Sequence, residues 1–274
     1  MTRGVGVTEA VTGTLPPEAV ALLAILTHLG DPAMLVAIGA VAYWRWDRAR
    51  GVVLLSLAIG ALALVVTLKA LFGLPRPPVA LHAVPADGFG FPSGHAVGAA
   101  AVIGGLAVYT DVGPRRHRVL LAGGLIAIVA VSRVGLGVHY AVDVVVGVAV
   151  GLGFLGLHRW SLTSDGTRGF SLAVLVGLTG VLAAGPTRDA LALIGLAVGG
   201  VLALTYIPRP PGPHRRRDLP TMVIGLPIAG GLGLAASGPW APTVVVPVAG
   251  AALTVVILGL PTITGWVDGA APAG

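Results

Sequence analysis

The sequence contains no cysteine. Disulfides, thiolate metal ligands and thiol nucleophiles are therefore excluded, and redox compartment cannot be read from cysteine usage. Charge is nearly as scarce. Asp, Glu, Lys and Arg make up 10% of the chain, against about 25% in a soluble domain. Lysine occurs once, as Lys69, and every other basic residue is arginine. The first eighteen residues hold one arginine and no apolar run. No cleavable signal peptide is expected, and the first helix is expected to insert uncleaved.

Hydrophobic residues fill the space, at 55% of 274 residues, with a mean hydropathy of +0.94. Apolar runs recur along the whole length. That combination predicts an all-α, polytopic transmembrane bundle. Forty-two glycines suit it, because small residues let helices approach closely in lipid.

Residues 1–14 read as a mobile tail. The run 15–29 has only about half the spanning length, and Gly30-Asp31-Pro32 interrupts it; it reads as an interfacial or re-entrant helix. Spans are expected at 32–46, 51–72, 93–109, 119–134 and 139–157, with a Pro- and Gly-rich loop at 73–92 and a tight turn at 135–138. Four more follow at 170–184, 190–207, 222–236 and 243–260, divided into two hairpins by the loop 209–218. These last four carry no intramembrane charge. The chain thus divides into a core, 1–160, and an accessory membrane unit, 161–274, with no legible chemistry and no repeat of the core.

The net charge of +6 comes from residues in short loops between apolar runs. That is a topology signal and argues against nucleic acid as a partner. With 73–92 placed outside, twelve of the seventeen basic residues fall in inner loops. The outer side keeps Arg3, Lys69, Arg76, Arg133 and Arg188. The positive-inside rule is obeyed, and three of its exceptions lie in one polar stretch.

That stretch is 69–143, and it contains Lys69, Arg76, Ser93, His95, Arg133, His139 and Asp143. All sit at expected span ends on the outer side. Ser93 follows Pro92 and is a good N-cap, and Gly94 lets a bound group approach the backbone. A helix N-terminus offers free N–H groups to an anion. Asp143 lies four residues after His139, on the same expected helix face. A carboxylate on one imidazole nitrogen fixes the tautomer and frees the other to attack. His95, on another helix, is placed to protonate a leaving oxygen. Lys69, Arg76 and Arg133 suit the charge of a phosphoryl group, so no metal or other cofactor is called for. Each piece alone has a plainer reading: a structural His–Asp pair, a loop with a cap, an interfacial arginine. Together they share one spacing pattern and one side. Asp31, Asp87, Asp111 and His82 are assigned to caps, loops and the rim. His28, His117, His158 and His214 are given no role.

The complete set, Lys69…Arg76-Pro77, Pro92-Ser93-Gly94-His95 and Ser132-Arg133…His139…Asp143, resembles the type 2 phosphatidic acid phosphatase superfamily. The resemblance covers about residues 15–160. It implies a helical-bundle core and metal-independent hydrolysis of a phosphomonoester or diphosphate. It implies His139 as nucleophile through a phosphohistidine, Asp143 as its orienter and His95 as general acid. Lys69, Arg76, Ser93, Gly94 and Arg133 would bind phosphate. The expected protein is a multi-pass cell-membrane enzyme with its site on the extracytoplasmic side. Its partners are the bilayer and a lipid phosphate or diphosphate. Vanadate-dependent haloperoxidases resemble the same motif set, but those relatives are soluble. A non-catalytic lipid-binding or scramblase-like protein with a relict site is the remaining alternative.

Overall fold

A computed structural model of the chain describes residues 4–161, 166–208, 218–237 and 241–267. Among them no strand occurs. The helices run in order α1 (Val5–Thr14), α2 (Pro17–Leu26), α3 (Pro32–Arg45), α4 (Arg48–Phe72), α5 (Gly94–Tyr109), α6 (Arg115–Gly135), α7 (Ala141–Ser161), α8 (Thr167–Ala184), α9 (Arg188–Tyr206), α10 (Asp218–Ser237) and α11 (Val245–Val267). All nine expected spans are helices. Six helices are long and apolar enough to cross a membrane: the protein is a multi-pass membrane protein. Three others are shorter than the expectation of a full span requires: α3, α5 and the apolar part of α10. The fourteen residues of α3 reach about 21 Å at 1.5 Å per residue, against about 30 Å of hydrocarbon.

The amino-terminal tail is a correction. Residues 5–14 are helical, not mobile, because α1 packs on α6 and buries Thr8. Together with 17–30 it forms a helix pair bent by 114° at Leu15-Pro16, where Pro16 and Pro17 deny the chain two amide donors. The loop 209–217, expected to carry inner-side arginines, lies outside the described residues.

Helix α4 is the axis. It starts at Asp47, whose carboxylate accepts the Arg50 amide, and stops at Gly73 in the left-handed region (φ 57°). Helices α3, α5, α8 and α9 pack around it, on a core that includes Leu55, Ile59, Leu62 and Phe170. Glycine decides two helix contacts. A Cβ on Gly151 of α7 would collide with the Val97 carbonyl of α5. On Gly195 or Gly199 of α9 it would strike the α11 backbone at Pro247 or Ala251. The spacing Gly195-x-x-x-Gly199 thus gives α9 and α11 a backbone-to-backbone seam.

The start of α4, the end of α5 and the start of α6 share one end of the bundle. There Asp111 pairs with Arg50 and, at 3.6 Å, with Arg118. The end of α4 and the starts of α5 and α7 lie at the opposite end.

Candidate active site

That opposite end gathers all eight residues singled out in the sequence. Lys69, Arg76, Gly94, His95, Arg133 and His139 line one cavity. Ser93 and Asp143 lie directly beneath, both fully buried.

The scaffold is built from backbone bonds. The Ser93 amide donates to the Asp143 carbonyl at 3.0 Å, tying the start of α5 to the start of α7. The turn after α6 bonds to the 73–92 loop, with the Ala83 amide donating to the Leu136 carbonyl at 3.0 Å. Gly137 has φ 71°, and a Cβ there would collide with the Leu81 carbonyl. Only glycine serves at this turn, on both counts.

Arg76 is held by three contacts. Its Nε donates to the Asp87 carbonyl, and its Nη1 donates to the Val138 carbonyl and to His139 Nε2, each at 3.0 Å. Arginine can only donate, so His139 Nε2 accepts and the proton of the neutral ring sits on Nδ1. His139 does not begin a helix, as its spacing suggested: α7 starts at Ala141. Asp143 is its third residue, and its Oδ2 accepts the Tyr140 amide at 3.0 Å, the reach-back of an acidic residue at a helix start. The same Oδ2 lies 3.5 Å from His139 Nδ1. This is long for a hydrogen bond, and such contacts tighten around a bound substrate. Burial holds the His139 pKa well below its ordinary 6.5, and the positive charges of Arg76, Arg133 and Lys69 lower it further. The ring is therefore neutral, with its lone pair on Nε2.

Besides His139 Nδ1, whose nearest acceptor is the Asp143 carboxylate at 3.5 Å, two buried polar atoms find no hydrogen-bond partner here among the described residues. Ser93 occupies the N-cap position without capping, and its Oγ is orphaned. The Nε of Arg133 is likewise unpaired, while its Nη1 donates to Thr27 Oγ1 at 2.8 Å. Buried polar groups are rarely left unsatisfied, and a site prepared for a ligand is one explanation. Three cations, a helix N-terminus and two spare donors suit an anion of phosphate type.

Sequence reasoning missed the contribution of the amino-terminal segment. Asp31, assigned to a cap, has an Oδ1 that accepts from His95 Nε2 at 2.8 Å, and an Oδ2 that accepts from His28 Nδ1 at 2.5 Å. The bond to His95, above all, holds the Asp31 carboxyl below its ordinary pKa. Thr27 and Asp31 lie far from the motif stretch in sequence, so spacing carried no sign of them.

Residues 50–165 match the sequence model of the PAP2 superfamily. Every residue of the motif set falls within that range. Among solved structures, the chain is similar to the crystal structure of the first transmembrane PAP2 type phosphatidylglycerolphosphate phosphatase from Bacillus subtilis. The identity is 27%, over 57% of this chain and 82% of that one, with a TM-score of 0.48. No curated protein matches the chain.

Proposed function

We propose that this membrane protein, whose residues 50–165 match the PAP2 superfamily, is a phosphatase that hydrolyses a lipid phosphate or diphosphate through a phosphohistidine on His139, without a metal. The observation that carries this reading is that Lys69, Arg76, His95, Arg133 and His139 line one cavity, with Arg76 Nη1 donating to His139 Nε2 at 3.0 Å.

Nε2 of His139 attacks phosphorus, and the bond from phosphorus to the lipid oxygen breaks. Protonated His95, whose Nε2–H is held by Asp31, gives its proton to that oxygen. Asp143 stabilises the charge that appears on the His139 ring. Lys69, Arg76, Arg133, the Ser93 hydroxyl and the amides at Gly94 stabilise the equatorial oxygens, the role of preorganised donors in an oxyanion site. Water then attacks phosphorus, His95 takes its proton, the P–N bond breaks and inorganic phosphate leaves. The site faces the extracytoplasmic side, opposite the basic end at Arg50 and Arg118.

The test is turnover of phosphatidic acid and of an isoprenoid diphosphate by purified protein in EDTA. Activity is expected, together with inhibition by vanadate, an analogue of the pentacoordinate transition state. His139→Ala should abolish both turnover and acid-labile phosphoryl labelling. His95→Ala should lose about 10²–10⁴-fold in turnover, the usual contribution of general acid catalysis. An active His139→Ala protein would overturn the reading.

A further inference from the structure

The cavity that holds the polar site does not end there. Its volume is about 850 Å³, in the upper part of the range of roughly 300–1,000 Å³ for small-molecule pockets. Only one end is polar. Pro32 and Trp44 both line it, and they stand twelve residues apart on α3. That is about 18 Å along a helix, a little over half of the roughly 30 Å hydrocarbon core. The depth corresponds to one leaflet measured from the headgroup level.

The inner wall comes from α3 and α4. The facing wall comes from α9, α10 and α11, the accessory half that showed no chemistry in the sequence. Leu193 and Leu196 of α9, Leu226 and Ala229 of α10, and Leu253 and Ile257 of α11 all face the chamber. Its deep end is closed by Trp44, whose indole N–H donates to the Ile257 carbonyl at 2.8 Å. The neighbouring Tyr43 hydroxyl donates to the Leu258 carbonyl at 2.9 Å. These two bonds join the end of α3 to α11. The seam between α9 and α11 then holds the facing wall rigid.

We infer that the carboxy-terminal helices α9–α11 form the receptor for the apolar chain of the substrate, and that they set which chain lengths the enzyme accepts. The inference rests on the lipid phosphatase reading above. One continuous cavity has cations at one end and aliphatic walls for the depth of a leaflet. A phosphate at Lys69, Arg76 and Arg133 leaves its attached chain nowhere to go within this cavity except between α3 and α9–α11. A soluble phosphate ester would leave those walls unused.

Two measurements test it. Gly230 of α10 lines the chamber, and a Cβ added there meets no atom within 4 Å. Gly230→Phe therefore adds a ring at the chamber wall without displacing the backbone, and Ala229→Phe adds one at the neighbouring lining position. Val223, exposed on the same helix and not part of the lining, gives the control Val223→Phe. For the filled variants, kcat/KM for a sixteen-carbon dialkyl phosphatidic acid should fall at least about tenfold, the loss that a misfit in the bound chain brings. Dibutyryl phosphatidic acid should keep its wild-type value, as should both substrates with Val223→Phe. Equal losses for the long and short substrates, or no loss for either, would sink the inference.

The second measurement does not depend on turnover. A phosphatidic acid bearing a diazirine at the end of one acyl chain is photolysed with the wild-type protein in detergent. Mass spectrometry should place the adducts on α9, α10 and α11, and Gly230→Phe should remove them. A phosphatidylcholine carrying the same diazirine should not label these helices. Adducts elsewhere, or equal labelling by both lipids, would overturn the chain receptor even in an active phosphatase. Adducts on α9–α11 in a protein without turnover would keep the receptor and reject the hydrolase.

Discussion

His139 is set up by its neighbours to be neutral. A depressed imidazole pKa means that more acid is needed to protonate the ring. As the proposed nucleophile, it therefore stays available as pH falls through 6.5, and protonation removes it only well below. Once the ionisations of the substrate and of the general acid His95 are accounted for, kcat/KM should show no loss on the acid side centred at 6.5, and such a limb would contradict a neutral His139 ring. Asp31 makes a separate prediction. Its carboxylate meets the protonated form of His95 with an acceptor at 2.8 Å. Asp31→Asn should lower kcat about tenfold to a hundredfold, part of the share a general acid supplies, while KM changes little. Asp31→Glu should recover some of the loss. A wild-type kcat in Asp31→Asn would remove Asp31 from the site.

The decisive contacts between elements are made by glycine and by backbone. Helix α7 lies against α5 because Gly151 presents no side chain to the Val97 carbonyl. Closer to the site, the Ser93 amide reaches the Asp143 carbonyl. Helix α5 and the turn that leads into α7 therefore hold His95 and His139 at a fixed separation. Gly151→Val forces them apart. Overpacking of this kind costs about 1–3 kcal/mol, so the melting temperature in detergent should fall. Turnover should fall with it, since the site spans the same two helices. Unchanged melting would show that α5 and α7 have room for a side chain at Gly151.

The whole molecule has two unlike ends, with the cavity-lining cations Lys69, Arg76 and Arg133 gathered at one and an arginine-rich surface at the other. An orientation follows from the positive-inside rule. The absence of native cysteine makes it simple to test. Val79 of the 73–92 loop is 79% exposed, and Arg116 is exposed at the other end. On intact cells an impermeant maleimide should label Val79→Cys and spare Arg116→Cys. The reverse pattern would put the site in the cytoplasm and leave its chemistry unaltered.

Composition and spacing were enough for the all-helical membrane class, the nine apolar helices and the eight motif residues. Hydropathy acts locally, and the motif residues sit at helix ends whose positions it sets. Two things were beyond its reach. The amino-terminal segment delivers Thr27 and Asp31 to Arg133 and His95 from more than sixty residues away, through a bent helix pair that no periodicity describes. Away from their first turns the accessory helices read as apolar, and they are. Their lipid-facing and cavity-facing sides use the same Leu, Ala, Val and Gly, so nothing in the pattern separates them. Only the packing of α9 and α11 on one another, and of both across from α3, turns one of those faces into the wall of a chamber that begins at the site.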